Sequence, residues 1–205
     1  MSRDRLETRS LILEAHLAKD AEHAYRVESN AKVMQFLGGG YQDPKDEFLR
    51  DFPSQSADRF PGYIAIRRKG DHVYIGNCSL KPWRLAHHDS RGPVPAVEPR
   101  IVIDEPYWRD RYGVEVLRAL LAYAFGPMGA TLVAGVIDPR HPRIRQLCIL
   151  YGFRRDASYS LLEPTWCDLP ELWVASNADF DAARRKLVQQ AENVDSGVEG
   201  VDSFW

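Results

Sequence analysis

Arg109 and Arg111 stand just ahead of Gly113 and an apolar-periodic run from Val114 to Phe125, and no other stretch of the chain has clearer chemistry. Upstream, Glu98-Pro-Arg-Ile-Val-Ile-Asp104 has the apolar content of a strand, and Tyr107-Trp108 fills a turn between the two. A strand that passes through a basic loop into a helix is an anion site in outline. The first amides of a helix lack intrahelical acceptors, the helix dipole is positive there, and two guanidinium groups add charge. A pyrophosphate is the kind of ligand such a turn takes. A cation at a helix N-terminus opposes the dipole by up to about 1 kcal/mol, so the arginines need an anion or an acidic neighbour. Asp110 and Glu115 are close enough in sequence to supply the latter.

Other reactive residue types are sparse. Cys78, Cys148 and Cys167 are widely spaced with no CxxC pair, and no histidines cluster at metal-ligand spacing, so neither a disulfide framework nor a metal site is expected. His87 and His88 are neighbours in a polar segment, where adjacent side chains are expected to point apart and stay solvated or face a substrate. Cys148 shares a helical apolar stripe with Ile144, Leu147 and Tyr151, the setting of a small core residue.

The elements that position these residues follow from periodicity. Residues 8–16 read as a first strand. Residues 19–37 turn helical, with a break near Ser29-Asn30 and a stop at Gly38-Gly39-Gly40; 44–52 is a further short helix. Residues 62–83 form a β-hairpin around Lys69-Gly70-Asp71, and 84–96, with two prolines and a glycine, reads as a surface loop. The second half alternates: strand 97–104, helix 113–125, strand 131–137, helix 141–151, strand 153–161 and strand 171–177. That order predicts an α/β domain with helices packed on a mixed sheet. A terminal helix over 178–191 closes a domain spanning 1–191, and the acidic, aperiodic 192–205 is expected to be a mobile tail.

Composition sets the outer limits. Hydrophobic residues make up 44% and charged residues 27% of 205 positions, enough apolar content for one core and too much for a disordered chain. A net charge of −2 gives no global attraction to nucleic acid or anionic membrane, so neither is an expected partner. The opening Met-Ser-Arg-Asp-Arg-Leu-Glu-Thr is too charged for a signal sequence, and no apolar run approaches a membrane span, which makes a cytoplasmic location the expectation.

Several passages, in order, resemble the GNAT superfamily of acetyltransferases, particularly the Rim-type branch typified by ribosomal-protein alanine N-acetyltransferases. Thr8 to Ala15 looks like the family's opening strand, and Asn30-Ala-Lys-Val-Met-Gln-Phe-Leu-Gly38 like its "pEVMryLG" helix. Glu98 to Leu120 resembles its glutamate-bearing strand, Tyr-Trp turn, coenzyme A loop and following helix, and Asp138-Pro to Tyr151-Gly-Phe153 resembles its "DPeN … LGF" ending. The resemblance implies an α/β GNAT fold, a mixed and mostly antiparallel central sheet of about seven strands with helices on both faces.

It also implies a site. Acetyl-CoA would be the co-substrate, its pantetheine arm along Ile101, Val102 and Ile103 where that strand splays from the one after residue 131. Its phosphates would lie by Arg109, Asp110, Arg111, Tyr112, Gly113 and Val114. His141 replaces the family's asparagine, and Arg145, with Arg140 and Arg143, either reaches the adenosine 3′-phosphate or forms a solvated helix face. Glu98 matches a carboxylate that deprotonates the acceptor amine in relatives, and otherwise pairs with a basic neighbour at the strand start. Cys148 stands where some relatives carry a tyrosine acid. Arg111 stands at the first glycine of the family's R/Q-x-x-G-x-G/A pattern, a position that normally lets backbone amides approach the phosphates. The implied reaction is direct attack of a primary amine, on a small molecule or a protein N-terminus, upon the thioester, in a monomer or homodimer. Its alternative is a non-catalytic acyl-CoA-binding module on the same fold.

Overall fold

The computed structural model of the chain describes residues 5–38, 44–56, 61–90, 92–163 and 165–195. Its strands are β1 (Arg5–Glu7), β2 (Leu11–Ala15), β3 (Ile64–Arg68), β4 (Tyr74–His87), β5 (Val94–Ile103), β6 (Leu132–Ile137), β7 (Arg154–Arg155), β8 (Tyr159–Leu161) and β9 (Glu171–Ser176). The helices are α1 (Ala21–Glu28), α2 (Ala31–Met34), α3 (Lys45–Ser56), α4 (Tyr112–Phe125), α5 (Ile144–Leu150) and α6 (Asn177–Asp195). The strands join in one sheet of order β1-β2-β3-β4-β5-β6-β9-β7, with β8 paired to β4. Every pairing is antiparallel except β5 with β6.

Strand alternation sends side chains to two layers. On one face Ile75, Cys78, Leu80 and Val97 meet the buried stripe of α4, Val116, Leu117, Leu120, Leu121, Ala124 and Phe125, together with residues of α5 and α6. On the other face Ala65, Tyr74 and Val102 meet Ala24 and Val27 of α1 and Phe48 and Phe52 of α3. Farther along that second face Leu85, Ala96, Leu132 and Ala134 pack with Tyr159 and Leu161 of β8.

The expected break between two short helices falls at Ser29-Asn30 for a local reason. Ser29 Oγ donates to the Tyr25 carbonyl at 2.7 Å to close α1, and Asn30 Oδ1 accepts the Lys32 amide at 3.0 Å to open α2. Gly38 adopts a φ of +94°, while Gly39 and Gly40 lie outside the described residues.

Three expectations need correction. Residues 84–96 are not one loop: β4 runs through His87 and β5 starts at Val94, with Arg84 facing Pro95 and Leu85 facing Val94. Proline survives there because these stretches have an open edge. On one side β4 loses β3 beyond Cys78 and meets β8 only from Leu85, and β5 touches β6 at Val97 alone, so a missing N–H forfeits no ladder bond. Residues 153–161 make two strands rather than one. Asp156 Oδ1 accepts the Ser158 amide at 3.0 Å, and this turn carries the chain from β9, the partner of β7, to β4, the partner of β8. Finally, α6 runs to Asp195, past the expected limit of 191; residues 196–205 of the expected tail lie outside the described residues.

Candidate active site

Val97 of β5 and Val133 of β6 form the single ladder pair between these strands among the described residues. Beyond that pair the two strands separate, so the β6-facing edge of β5 from Glu98 to Ile103 is left without a strand partner. An unpaired edge is a template for an extended ligand that offers amides of its own. Ile101 and Ile103 point to the α4 face and Val102 to the α1 face. The Ile103 carbonyl is already engaged, accepting the indole N–H of Trp108 at 2.7 Å.

At the end of β5, residues Glu105–Asp110 form a 3-10 turn and Arg111 begins α4 with φ +60° and ψ +16°, a left-handed conformation. This geometry explains why a glycine suits the position: an L-residue there costs about 1–2 kcal/mol, and this chain spends it on an arginine. The amides of Val114 and Glu115 close on the Arg111 carbonyl at 3.1 and 3.3 Å, so the amides at the very start of α4 have no intrahelical acceptor. A Cβ placed on Gly113 would meet no atom within 4 Å. Neither torsion nor packing within the protein requires a glycine there; what it provides is room beside those amides.

Of the two acidic neighbours, Glu115 is engaged elsewhere. Glu115 accepts from Thr8 Oγ1 and, at 2.6 Å, from the Ser10 amide, tying the β1–β2 turn to the first turn of α4. Tyr112 packs at the margin of the main core. Arg109 is exposed and lines a cleft of about 590 Å³ together with Arg26, Asn30, Asp104, Glu105 and Pro106. Arg26 pairs with buried Asp104 at 2.6 Å and Lys32 with Glu105, so two ion pairs hold α1 and α2 to the turn after β5.

On the α1 face, Glu98 stands directly across the ladder from Lys81 and two residues from Arg100. Burial raises the Glu98 carboxyl above its ordinary value, against the opposing pull of Lys81 and Arg100. Arg100 is held by a group that sequence patterning did not single out. Its guanidinium donates to Glu28 Oε2 at 3.0 Å and to Asn77 Oδ1 at 3.1 Å, and the Tyr63 hydroxyl donates to Glu28 Oε1 at 2.7 Å. Glu28 is only 8% exposed. The one available signal was a glutamate on the apolar side of α1, which only the partner Arg100, 72 residues on, makes sense of. Under this network His16 stacks on Tyr63 with ring centroids 4.4 Å apart, and burial lowers its pKa to about 4.

The remaining predicted residues divide. His141 Nδ1 accepts the amides of Arg143 and Ile144 at 3.2 and 3.1 Å, so its ring caps the start of α5 and leaves its proton on Nε2. The same ring lies 4.8 Å from that of Phe36, which brings the segment after α2 to the open end of β6. Arg145 donates to Glu171 Oε2 at 2.9 Å and Arg140 to the Asp138 carboxylate, giving both cations protein partners. Cys148 lies in the main core, and burial pushes its thiol up to about 12. All three cysteines are buried free thiols. The rings of His87 and His88, expected to point apart, stack at 5.0 Å with an angle of 13°.

The family model described as "Acetyltransferase (GNAT) domain" matches residues 10–154. No curated protein matches the chain in sequence comparison. Among solved structures, Mycobacterium smegmatis RimJ in complex with CoA-disulfide superposes with a TM-score of 0.67 at 14% identity, covering 92% of this chain and 96% of that one. A GCN5-related N-acetyltransferase from Brucella melitensis gives 0.66 at 15% identity, covering 92% and 86%. The spermidine N-acetyltransferase of Vibrio cholerae, in complex with CoA and spermine, gives 0.63 at 13% identity, covering 83% and 97%. At these identities the superpositions speak for the fold, and the family match spans the β5–α4 turn and the diverging strands just described. The chain belongs to the acetyltransferase (GNAT) family.

Proposed function

We propose that the chain is an N-acetyltransferase that binds acetyl-CoA in the opening between β5 and β6 and transfers the acetyl group directly to a primary amine, with Glu98 as general base. The observation that carries this reading is the divergence at Val97 and Val133 beside a carboxyl whose pKa is raised by burial. The unpaired edge of β5 would take the pantetheine amides, and the start of α4 with Gly113, Arg109 and Arg111 would take the pyrophosphate. A carboxylate with a raised pKa accepts a proton from an ammonium more readily than a solvated one, and positioned bases contribute about 10²- to 10⁴-fold to rate. The thiolate of coenzyme A leaves as the tetrahedral adduct collapses, and Cys148 is given no part in that step because it is buried in the main core and burial raises its thiol.

The acceptor is read from charge. Among the described residues, the acids near the opening each have a cation beside them, Glu28 with Arg100, Glu98 with Lys81 and Asp104 with Arg26, so the floor carries no excess of negative charge. A polyamine would gain little there, whereas a single α-amine on a peptide or amino acid needs one base and hydrogen-bonding neighbours. The reaction is assayed as thiol release from acetyl-CoA against peptides with free N-termini, amino acids, aminoglycosides and spermidine. Glu98→Gln is expected to lower kcat while sparing cofactor binding.

The non-catalytic alternative, an acyl-CoA-binding module, finds support in Arg111 and Cys148 at family positions of glycine and tyrosine. Acetyl-CoA raises Tm under either reading, and Arg111→Glu removes that shift. Turnover with any amine eliminates the module; the absence of a Tm shift at about 1 mM cofactor eliminates both.

A further inference from the structure

We propose that His87, His88 and Asp89, at the end of β4, form a binding site for a divalent transition-metal cation of the Zn²⁺ type. The three side chains each offer one ligand atom, all within 4.8 Å of one another. The argument rests on what the rings face. His88 Nδ1 lies 3.3 Å from the Ser158 carbonyl, and His88 Nε2 lies 3.2 Å from Asp89 Oδ2. Nδ1 therefore points at a carbonyl, and Nε2 lies within ion-pair distance of a carboxylate. A proton on Nδ1 satisfies the carbonyl and leaves a lone pair on Nε2 beside the Asp89 carboxylate, the two donors a cation would bridge.

The first half of this arrangement is what a metal-ligating histidine uses: its other N–H is donated to a backbone carbonyl, which fixes the tautomer and the ring. His87 adds the second nitrogen. Its Nδ1 accepts the Asp89 amide at 3.2 Å and so carries a lone pair beside the cluster, and coordination would replace that long bond. The ring is oriented by an edge contact with Tyr159 at 4.6 Å and by stacking on His88. Two imidazoles and a carboxylate, with water in the fourth position, make a ligand set that suits Zn²⁺, whose bonds of about 2.0–2.2 Å require these side chains, none of them buried, to draw together by roughly an ångström. Calcium and magnesium favour all-oxygen sets.

The site is separate from the acyl-transfer region. His87 is six residues along β4 from Lys81, the partner of Glu98, or about 20 Å at strand rise. A cation there would act on structure, since Ser158 and Tyr159 belong to the turn and strand that cover the Leu85–Ala96 cluster. It would fasten β8 to β4.

The test is isothermal calorimetry with Zn²⁺ alone on the full chain, in a non-chelating buffer at neutral pH. One-to-one binding is expected, weakened at least about tenfold in His88→Ala and in Asp89→Asn. A rise in Tm with Zn²⁺ that is lost in the same variants is expected alongside it. Both residues are exposed, so the variants keep the fold, and circular dichroism checks that they do. Unchanged affinity in both variants would place the cation elsewhere and overturn the proposal. So would the absence of heat and of a Tm shift at about 1 mM Zn²⁺.

Discussion

Glu98 of β5 faces Lys81 of β4 across the antiparallel ladder, yet its carboxyl titrates higher than an ordinary glutamate because burial outweighs the pull of that lysine and of Arg100. As a base it works only when deprotonated. Activity under kcat/KM conditions should therefore rise with pH through the raised Glu98 value and level off above it. In Glu98→Gln that acidic limb should vanish and kcat fall by about 10²-fold or more. A pH profile of kcat/KM that is the same in both proteins removes Glu98 from the mechanism.

The same shift makes a stability prediction of opposite sign. The folded state holds the Glu98 proton more tightly than the unfolded chain does, so stability is fullest below the unfolded value of 4.5 and declines as pH rises through the raised folded value. Glu98→Gln should then match the parent in Tm at the acidic end and exceed it at neutral pH. Thermal melts across that range check this, and a variant less stable at neutral pH would mean that the pairing with Lys81 and Arg100 outweighs burial.

Arg111 gives a cleaner energetic comparison. Its left-handed backbone favours glycine over any L-residue, whatever its side chain contributes. Arg111→Gly and Arg111→Ala delete the same side-chain contacts and differ only in tolerance of that torsion, so the glycine variant should be more stable by about 1 kcal/mol. Denaturant melts of the pair measure the difference. If the two are equally stable, the loop relaxes out of the left-handed region when the arginine is removed.

Much of this site was legible from local signals. The strand, the Tyr107-Trp108 turn, Gly113 and the helix after it are consecutive in sequence, and apolar periodicity places them. Arg111 showed as a departure from a pattern, but only backbone torsion says what the departure means. The Glu28–Arg100–Asn77 network was hidden because its members come from α1, β5 and β4, and no periodicity links residues that meet only when the sheet forms. His141 is placed at the cofactor by the family's asparagine and Arg145 by its charge; the protein partners that the structure gives them, the amides of Arg143 and Ile144 and the Glu171 carboxylate, are set by a turn and by a strand 26 residues on. The prolines of 84–96 misled for a similar reason, since whether a strand edge is open depends on where its neighbours stop.

Gly76 ties backbone shape to the site through a close approach to β5. It has φ +155°, and a Cβ on it would lie 2.0 Å from the Val102 carbonyl, at the part of β5 that leaves β6. The β3–β4 register also shifts at this point, between Ile66 and Arg67. Gly76→Ala should cost about 3 kcal/mol and displace β5. Its effect on function should be a weakened acetyl-CoA response as well as a lower Tm. A variant that loses stability but binds cofactor with the parent's affinity would show that β5 does not need this approach to hold the opening.

Cys148 separates the core reading from the acid reading most directly. It is 6% exposed among Val116, Leu120 and Tyr151, and burial pushes its thiol up to about 12, so it neither reaches solvent nor gives up a proton readily. Cys148→Ala should lower stability by about 1 kcal/mol, the loss of one small buried group, and change kcat by less than about threefold. Native protein should also leave Cys148 unmodified by a thiol reagent that labels it after unfolding. A drop in kcat of about 10²-fold, with the fold intact by circular dichroism, would return Cys148 to the role that a tyrosine holds at this position in relatives.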